Sequence, residues 1–338
     1  MRVYLEAIEA ELTAALAPAN LPLRDSPLFA DFLNMLRYHL GWTDAQGNTV
    51  RADVGKRLRP LLVLLSCAAA QGEWQKALPA AAAIELVHNF SLIHDDIEDR
   101  SAERRGRAAV WKVWGLAQGT NAGDAMFVLA RLALDRVQVE PSTWAEVHAL
   151  FDRATLALTQ GQFLDISFET REMVTVEEYI GMVKGKTAAL LAASTEMGAR
   201  IATCDRPGIQ AFADYGENLG IAFQIVDDVL GIWGDPAVTG KPAGDDLWAK
   251  KKSFPVLAGA ASDTSGEVQT FLRQPEVTLA DVTHVLSIME RTGAREQTEA
   301  AAEGYLRRAL EALDRTRLEN PAMDELRGMA ERAVKREK

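Results

Sequence analysis

Two clusters of adjacent aspartates dominate the chemistry available to this chain, because paired carboxylates at helical spacing can hold a divalent cation. The first lies in ELVHNFSLIHDDIEDRSAERRGR. Asp95 and Asp99 are four residues apart, so on a helix they share one face, roughly 6 Å apart along the axis. Asp96 is one step round, and Glu98 adds charge. Like charges at this spacing destabilise an isolated helix, and a cation between them removes that penalty. Magnesium suits the site: it is hard, takes carboxylate and phosphate oxygens, and keeps waters in its shell. Leu86, Val87, Phe90, Leu92 and Ile93 precede the acids, so the cluster ends a largely buried helix. Asp227 and Asp228 follow FQIV in a second apolar run, GIAFQIVDDVLGIWGDP, with Gln224 on the face of Asp228. A solvated acidic helix end accounts for either motif alone. Two buried helices that each end in adjacent aspartates can hold a metal-bridged diphosphate between them, and that pairing is far more specific.

A diphosphate needs positive charge beyond the metal, and arginine offers it two parallel hydrogen bonds. Four basic groups stand near the acids: Lys56, Arg57 and Arg59 in GKRLRP; Arg104, Arg105 and Arg107 in RRGR; Lys184, Lys186 and Thr187 in VKGKT; Lys241, then Lys250, Lys251 and Lys252, in GKPAGDDLWAKKK. One such group would be a solvated surface charge. Four, each beside a glycine or a helix end in an acidic protein, point to anion binding. His88 lies two turns before Asp95 and can donate to a phosphate, although a lone histidine on an apolar helix is as readily a core residue. His94 directly precedes the acids and can orient them as a donor. Neither has zinc-ligand spacing.

The elements that must position these groups are helical. Stretches rich in Ala, Leu and Glu alternate with short breaks at Gly, Pro, Asp and Asn, and helices are expected over 79–99, 144–169, 176–201 and 209–232. Strand-like alternation is scarce, with no NG or DG hairpin between apolar runs and no phosphate-binding glycine fingerprint. Residues 234–252 form the most loop-like internal stretch, and amphipathic helices return from about residue 279. The reading is one all-α domain spanning 1–338.

Bulk composition agrees. Lys plus Arg is 37 against 48 Asp plus Glu, a net charge of −11, which gives no general attraction to nucleic acid or anionic lipid. The two cysteines, Cys67 and Cys204, form no disulfide framework or zinc site, and a reducing cytoplasm suits them. The opening MRVYLEAIEAELTAAL is acidic and amphipathic, unlike a signal peptide. No apolar run approaches the roughly 20 residues of a membrane span.

Taken in order, GKRLRP, ELVHNFSLIHDDIED with RRG, NAGD, GQFLD, VKGKT, FQIVDD, GDPAVTGKPAGDD and KKKSFP resemble the trans-isoprenyl diphosphate synthases of the polyprenyl synthetase family, above all those forming geranylgeranyl and farnesyl diphosphate. The resemblance, whose motif core runs from about residue 50 to 260, implies an all-α isoprenoid synthase fold, a helical bundle around a central cavity, a homodimer, and magnesium-dependent condensation of isopentenyl diphosphate with an allylic diphosphate. Carried over by position, Asp95, Asp99 and Asp227 ligate magnesium, with Asp96 and Asp228 in support. Arg104 meets the allylic diphosphate. Lys56, Arg59, His88 and Arg105 bind isopentenyl diphosphate. Lys186, Thr187, Gln224, Lys241 and Lys251 line the allylic side, with the lysine register uncertain by one, and Asp165 points into the same cavity.

The chain departs from the family pattern at Gly231, where the second cluster carries a last carboxylate, so metal binding there is expected to persist with one contact fewer. RRGRAAVW also lacks the Pro-Thr usual after RRGx. Product length in such enzymes follows cavity depth below the first cluster. Val87 and the small Ser91 lie beneath it, and the bulky Phe90 stands where an aromatic accompanies a C20 product, so geranylgeranyl diphosphate is expected, with farnesyl diphosphate next. Two other readings compete. A terpene cyclase has no use for Lys56, Arg59, His88 and Arg105. A regulatory subunit of a hetero-oligomeric synthase often loses the first aspartates, which this chain keeps.

Overall fold

The computed structural model of the chain describes residues 1–17, 29–50, 52–235 and 244–334. It is all-α, and by its contacts it divides into two compact units, Met1–Phe151 with Met197–Cys204 and Asp152–Glu196 with Asp205–Lys338.

The first unit runs through α1 (Arg2–Ala15), α2 (Phe29–His39), α3 (Leu58–Ala69), α4 (Leu78–Glu98), a hairpin of β1 (Glu103–Arg104) and β2 (Arg107–Ala108), α5 (Val110–Trp114), α6 (Leu116–Leu134) and the start of α7 (Pro141–Thr170). Its centre is α4, which packs mainly on α6 and α3. Ala80, Ala81, Ala82, Ala83, Ile84, Leu86 and Val87 are all fully buried; a helix apolar on every side belongs inside, and its alanines let neighbouring backbones approach. Ahead of α3, Arg57 adopts a left-handed conformation at φ 47°. Its Nε donates to Glu9 at 2.7 Å and its Nη1 to buried Glu85 at 2.6 Å, while Asn89 Nδ2 also donates to Glu85 at 2.9 Å. A buried charge must be paired, and Glu9 and Glu85 anchor this member of GKRLRP in the fold.

The hairpin was not legible from alternation, because each strand is only two residues long. Its signal is local. Arg105 and Gly106 have φ of 52° and 69°, the paired positive values of a type I′ turn. RRGR is thus a tight turn that returns the chain beside the end of α4.

The second unit contains the rest of α7, then α8 (Val176–Val183), a π-helical segment (Lys184–Ala188), α9 (Ala189–Ile201, which ends in the first unit), α10 (Arg206–Trp233), α11 (Asp245–Trp248), α12 (Phe254–Ser262), α13 (Glu267–Arg273), α14 (Leu279–Arg291), α15 (Ala294–Arg315) and α16 (Pro321–Val334). α10 packs chiefly against α15, and its buried Tyr215 hydroxyl donates to the Leu326 carbonyl at 2.7 Å. The expected helices begin one to three residues early at α4, α7 and α10. In each, proline occupies the first turn, where its missing N–H costs nothing, and at α10 the Asp205 carboxylate accepts from Gly208 N–H at 2.9 Å. The expected helix over 176–201 is continuous, with its α geometry broken only by the π segment.

That break has a visible cause. A Cβ on Gly185 would lie 2.7 Å from the Ala157 carbonyl oxygen and 2.9 Å from Gly161 Cα, and one on Gly161 would lie 2.0 Å from Lys186 N. The π segment and α7 therefore cross backbone on backbone, and the glycines of GQFLD and VKGKT are the two halves of one contact. Gly185→Ala should lower the stability of the chain by about 1–3 kcal/mol or more, read by urea unfolding. An unchanged midpoint and slope would show that the crossing can open at no cost.

Candidate functional site

The first cluster sits at the C-terminal end of α4, and its three carboxylates have different surroundings. Asp96 is buried, with 1% of its surface exposed. Arg104, presented by the hairpin, donates Nε to both Asp96 oxygens at 2.8 and 2.9 Å, and its Nη2 lies 2.7 Å from Asp96 Oδ1 and 3.2 Å from Asp95 Oδ2. Burial pushes the Asp96 carboxyl above its ordinary pKa, with the Arg104 contacts opposing the shift. Asp95 retains 22% side-chain exposure and Asp99 is exposed. Asp95 and Asp99 thus face outward one turn apart, while Asp96 orients Arg104.

Below the acids, Val87 is fully buried, and Ser91 Oγ donates to the His88 carbonyl at 2.8 Å. The Phe90 ring meets His94 at 4.9 Å and Phe127 of α6 at 5.4 Å between centroids. Phe127 was missed in the sequence, since nothing there pairs α6 with α4. His94 corrects an expectation: its Nε2 lies 3.3 Å from the Thr120 carbonyl and 3.6 Å from Asp124 of NAGD, so it ties α4 to α6 and does not orient the acids.

A basic group gathers elsewhere in this unit. Arg59 Nη1 lies 3.2 Å from His88 Nε2. A guanidinium can only donate, so Nε2 accepts and the neutral ring carries its proton on Nδ1. Desolvation, then Arg59, Arg105 and Arg104, hold His88 well below the ordinary histidine pKa. Arg105 has a buried Nη1 without a hydrogen-bond partner among the described residues, as expected of a cation kept for an anion. Lys56 is exposed. His39, which no motif marked, belongs to the same group. Burial first, then Arg105, Arg104 and Arg57, lower its pKa to about 3.

In the second unit, one hydrogen-bond chain links the π segment to α10. Thr187 Oγ1 donates to Gln224 Oε1 at 2.9 Å, and Gln224 Nε2 donates to Asp228 Oδ1 at 3.1 Å. Asp228 Oδ2 accepts from the Tyr179 hydroxyl at 2.5 Å and the Phe254 N–H at 3.0 Å. Asp228 is 2% exposed, and these donors occupy most of its lone pairs. It is a positioning carboxylate, whereas Asp227 beside it is half-buried. Lys186 Nζ donates to Asp165 at 2.5 Å.

The three lysines at 250–252 have different surroundings. Lys250 Nζ donates to the Gln274 carbonyl at 2.6 Å, and Lys252 Nζ to that of Phe168 at 2.6 Å. Lys251 alone faces carboxylates: desolvation works against its charge, but Asp228, Asp246, Asp165 and Asp227 outweigh it and raise its pKa. Lys241 lies outside the described residues.

Gly231 acquires a reason. A Cβ there would lie 2.7 Å from Cγ and Oδ2 of Asp246, a buried residue of α11. The space above the glycine is filled by a carboxyl group from another part of the chain, a residue the linear motif did not reveal. Among the described residues no group of three His, Cys, Asp or Glu side chains is poised around one metal position. Magnesium does not require such a cage: one or two carboxylates, waters and substrate phosphate oxygens satisfy it, and within the first unit the accessible carboxylates of Asp95 and Asp99 suit that mode.

Aspartate pairs at the end of α4 and in the last turns of α10, which runs on to Trp233, with guanidinium and ammonium groups set near them, are the site features of the isoprenoid synthase class. Residues 42–289 match the family model described as Polyprenyl synthetase, and the chain belongs to that family. It is 46% identical over 222 residues to the (2E,6E)-farnesyl diphosphate synthase of Mycobacterium tuberculosis, covering 66% of this chain and 61% of that enzyme; the match thus spans about three fifths of that relative's length. It is 39% identical over 282 residues to the geranylgeranyl diphosphate synthase of the same organism, covering 82% and 80%. Among solved structures, a polyprenyl synthetase from Streptomyces coelicolor A3(2) superposes with a TM-score of 0.89 at 35% identity, covering 99% and 98%.

Two expectations follow from this geometry. Above pH 6.5, the ordinary histidine value, His39 is neutral folded or unfolded; below it the unfolded chain takes up a proton that the folded chain refuses until about pH 3. Stability is therefore whole above 6.5 and falls with decreasing pH, by up to about 1.4 kcal/mol per pH unit from this group. Urea unfolding of His39→Asn between pH 6.5 and 5 should give a flatter profile than the parent; an equally steep one would refute the assignment. Restoring the family's acid with Gly231→Asp should cost about 1–3 kcal/mol through overpacking, and Asp246→Gly in the same chain should recover it. A single variant as stable as the parent would show that Asp246 moves aside freely.

Proposed function

We propose that residues 1–338 act as one polyprenyl synthetase domain that condenses isopentenyl diphosphate with an allylic diphosphate to give a longer trans allylic diphosphate, chiefly geranylgeranyl diphosphate. The observation that carries the reading is the division of labour at the first cluster, where Asp96 fixes Arg104 while Asp95 and Asp99 stay accessible.

Asp95, Asp99 and Asp227 would hold magnesium, which when bound supplies positive charge to a departing diphosphate. Arg104, Lys186, Thr187, Gln224 and Lys251 receive the allylic diphosphate, with Lys241 assigned by sequence position alone. Lys56, Arg59, His88 and Arg105 receive isopentenyl diphosphate, His88 donating through Nδ1. Fixed cations aimed at the leaving group favour ionisation of the allylic carbon–oxygen bond. Apolar side chains keep water from the resulting cation, and the neighbouring double bond attacks it. Loss of a proton to the released diphosphate completes the step. No side chain forms a covalent bond, and Cys67, its thiol pushed up to about 12 by burial, is unsuited to one.

The proposed C20 product rests on Phe90 and Phe127 below the acids and on the geranylgeranyl-forming relative that matches over most of its length. A homodimer is part of the proposal: α7 exposes Leu156, Phe163 and Ile166 to 59%, 68% and 39%, an apolar stripe that water would not favour. No described helix is long and apolar enough to cross a membrane.

Pure protein with labelled isopentenyl diphosphate and each short allylic primer should elongate only with magnesium. Asp95→Asn should lower kcat/KM about 10²–10³-fold, and Phe90→Ala should lengthen the product ladder. Absence of elongation from every primer would overturn the reading, and an unchanged ladder would remove the pocket floor. In sedimentation velocity the parent should run as a dimer and Phe163→Glu as a monomer; a monomeric parent would end the dimer proposal.

A further inference from the structure

The second unit carries a groove of about 440 Å³ between α8, α12 and α15, within the range of small-molecule sites. None of the residues lining it belongs to the hydrogen-bond chain at Asp228 except Phe254, which forms part of the groove wall and gives its N–H to that carboxylate. Along α15 the lining runs from Ala300 to Arg308, roughly 12 Å at 1.5 Å per residue. Ala301 and Tyr305 face Val176, Ile180 and Phe254 first, and Arg307 and Arg308 follow at one end. The groove is therefore apolar along its length and cationic at its end.

Two details point to an occupant. Gly304 lies in the middle of α15, yet a Cβ there would meet nothing within 4 Å. Glycine inside a helix costs about 1 kcal/mol relative to alanine, and packing does not demand it here; its effect is to keep the groove open. The Arg308 guanidinium stacks over the Tyr305 ring at 3.8 Å, which holds it in place while leaving its N–H groups available. Arg307 and Arg308 enter no ion pair among the described residues, although Glu303 and Glu311 are near in sequence and the chain carries a net charge of −11.

We propose that this groove is a second binding site for a prenyl diphosphate, its tail along Val176, Ile180, Phe254 and Ala301 and its diphosphate on Arg307 and Arg308. Two adjacent guanidiniums complement a multiply charged head better than a single carboxylate. The site needs no metal, and it goes beyond the elongation reading: binding is measured directly, whether or not the chain elongates.

Equilibrium dialysis of labelled geranylgeranyl diphosphate against the full chain, in EDTA to remove metal from the aspartates and with saturating unlabelled isopentenyl diphosphate to occupy the group of Lys56, Arg59, His88 and Arg105, should show saturable binding of about one ligand per chain. Affinity should fall at least about tenfold in Gly304→Trp, which fills the groove, and in Arg307→Glu/Arg308→Glu, which reverses its charged end at the surface. Both variants should keep the parent's thermal midpoint and initial elongation rate. Absence of binding in EDTA, or undiminished binding in the charge-reversed variant, would overturn the proposal. Displacement by equimolar palmitate would reassign the groove to fatty acids, and cosedimentation with phosphatidylglycerol vesicles lost in both variants would reassign it to a membrane surface. Failure of elongation with intact EDTA binding would count against the proposed function alone.

Discussion

A carboxylate taken out of water must be given donors or a countercharge, and that requirement organises both aspartate pairs. Adjacent residues on a helix point about 100° apart, so when a helix is buried one member of a pair turns inward and the other outward. Asp96 turns inward and is held by Arg104; Asp228 turns inward and is held by Tyr179, Phe254 and Gln224. Asp95 and Asp227 remain the more accessible partners. The same motif is used twice, with a guanidinium as the partner in one unit and neutral donors in the other.

The choice of partner has consequences for the surrounding charge. Arg104 is anchored by a residue that does not itself face outward, so the guanidinium is oriented before any ligand arrives, and less ordering remains to be done on binding. At Asp228 the donors are neutral, and the countercharge comes from Lys251 at longer range, with Asp165, Asp227 and Asp246 contributing to the same field. His39 and His88 show the reverse case. Set among arginines, they are kept neutral, which limits the positive charge of that group to guanidinium and ammonium.

Much of this was legible in the sequence. The aspartate spacing, the long apolar helices and the order of the motifs point to the helical fold and the family, because each depends on residues close together along the chain. Contacts between distant elements were not legible. The packing of Asp246 over Gly231 joins α11 to α10, the meeting of Phe90 with Phe127 joins α4 to α6, and His94 turns toward α6 although the acids are its neighbours in sequence. The missing third acid at position 231 read as a loss in the linear motif, whereas in space it is room for another side chain. Arg57 was equally illegible: it stands among basic neighbours in the sequence, and its partners Glu9 and Glu85 lie 48 and 28 residues away.

The π segment at Lys184–Ala188 decides how this region takes the loss of a position. A π turn carries one residue more than the α turn it replaces. Deleting one residue there would let the segment relax to an ordinary α turn with the helices on either side close to their present orientation, whereas the same deletion in a regular α stretch would swing one side by about 100° about the axis. The loss would fall on the turn's own contacts, those of Lys186 with Asp165, Thr187 with Gln224 and Gly185 with Gly161. Along these five residues a lost position is therefore absorbed as a change from a π to an α turn, felt by the side chains of the turn and not by the helices beyond it.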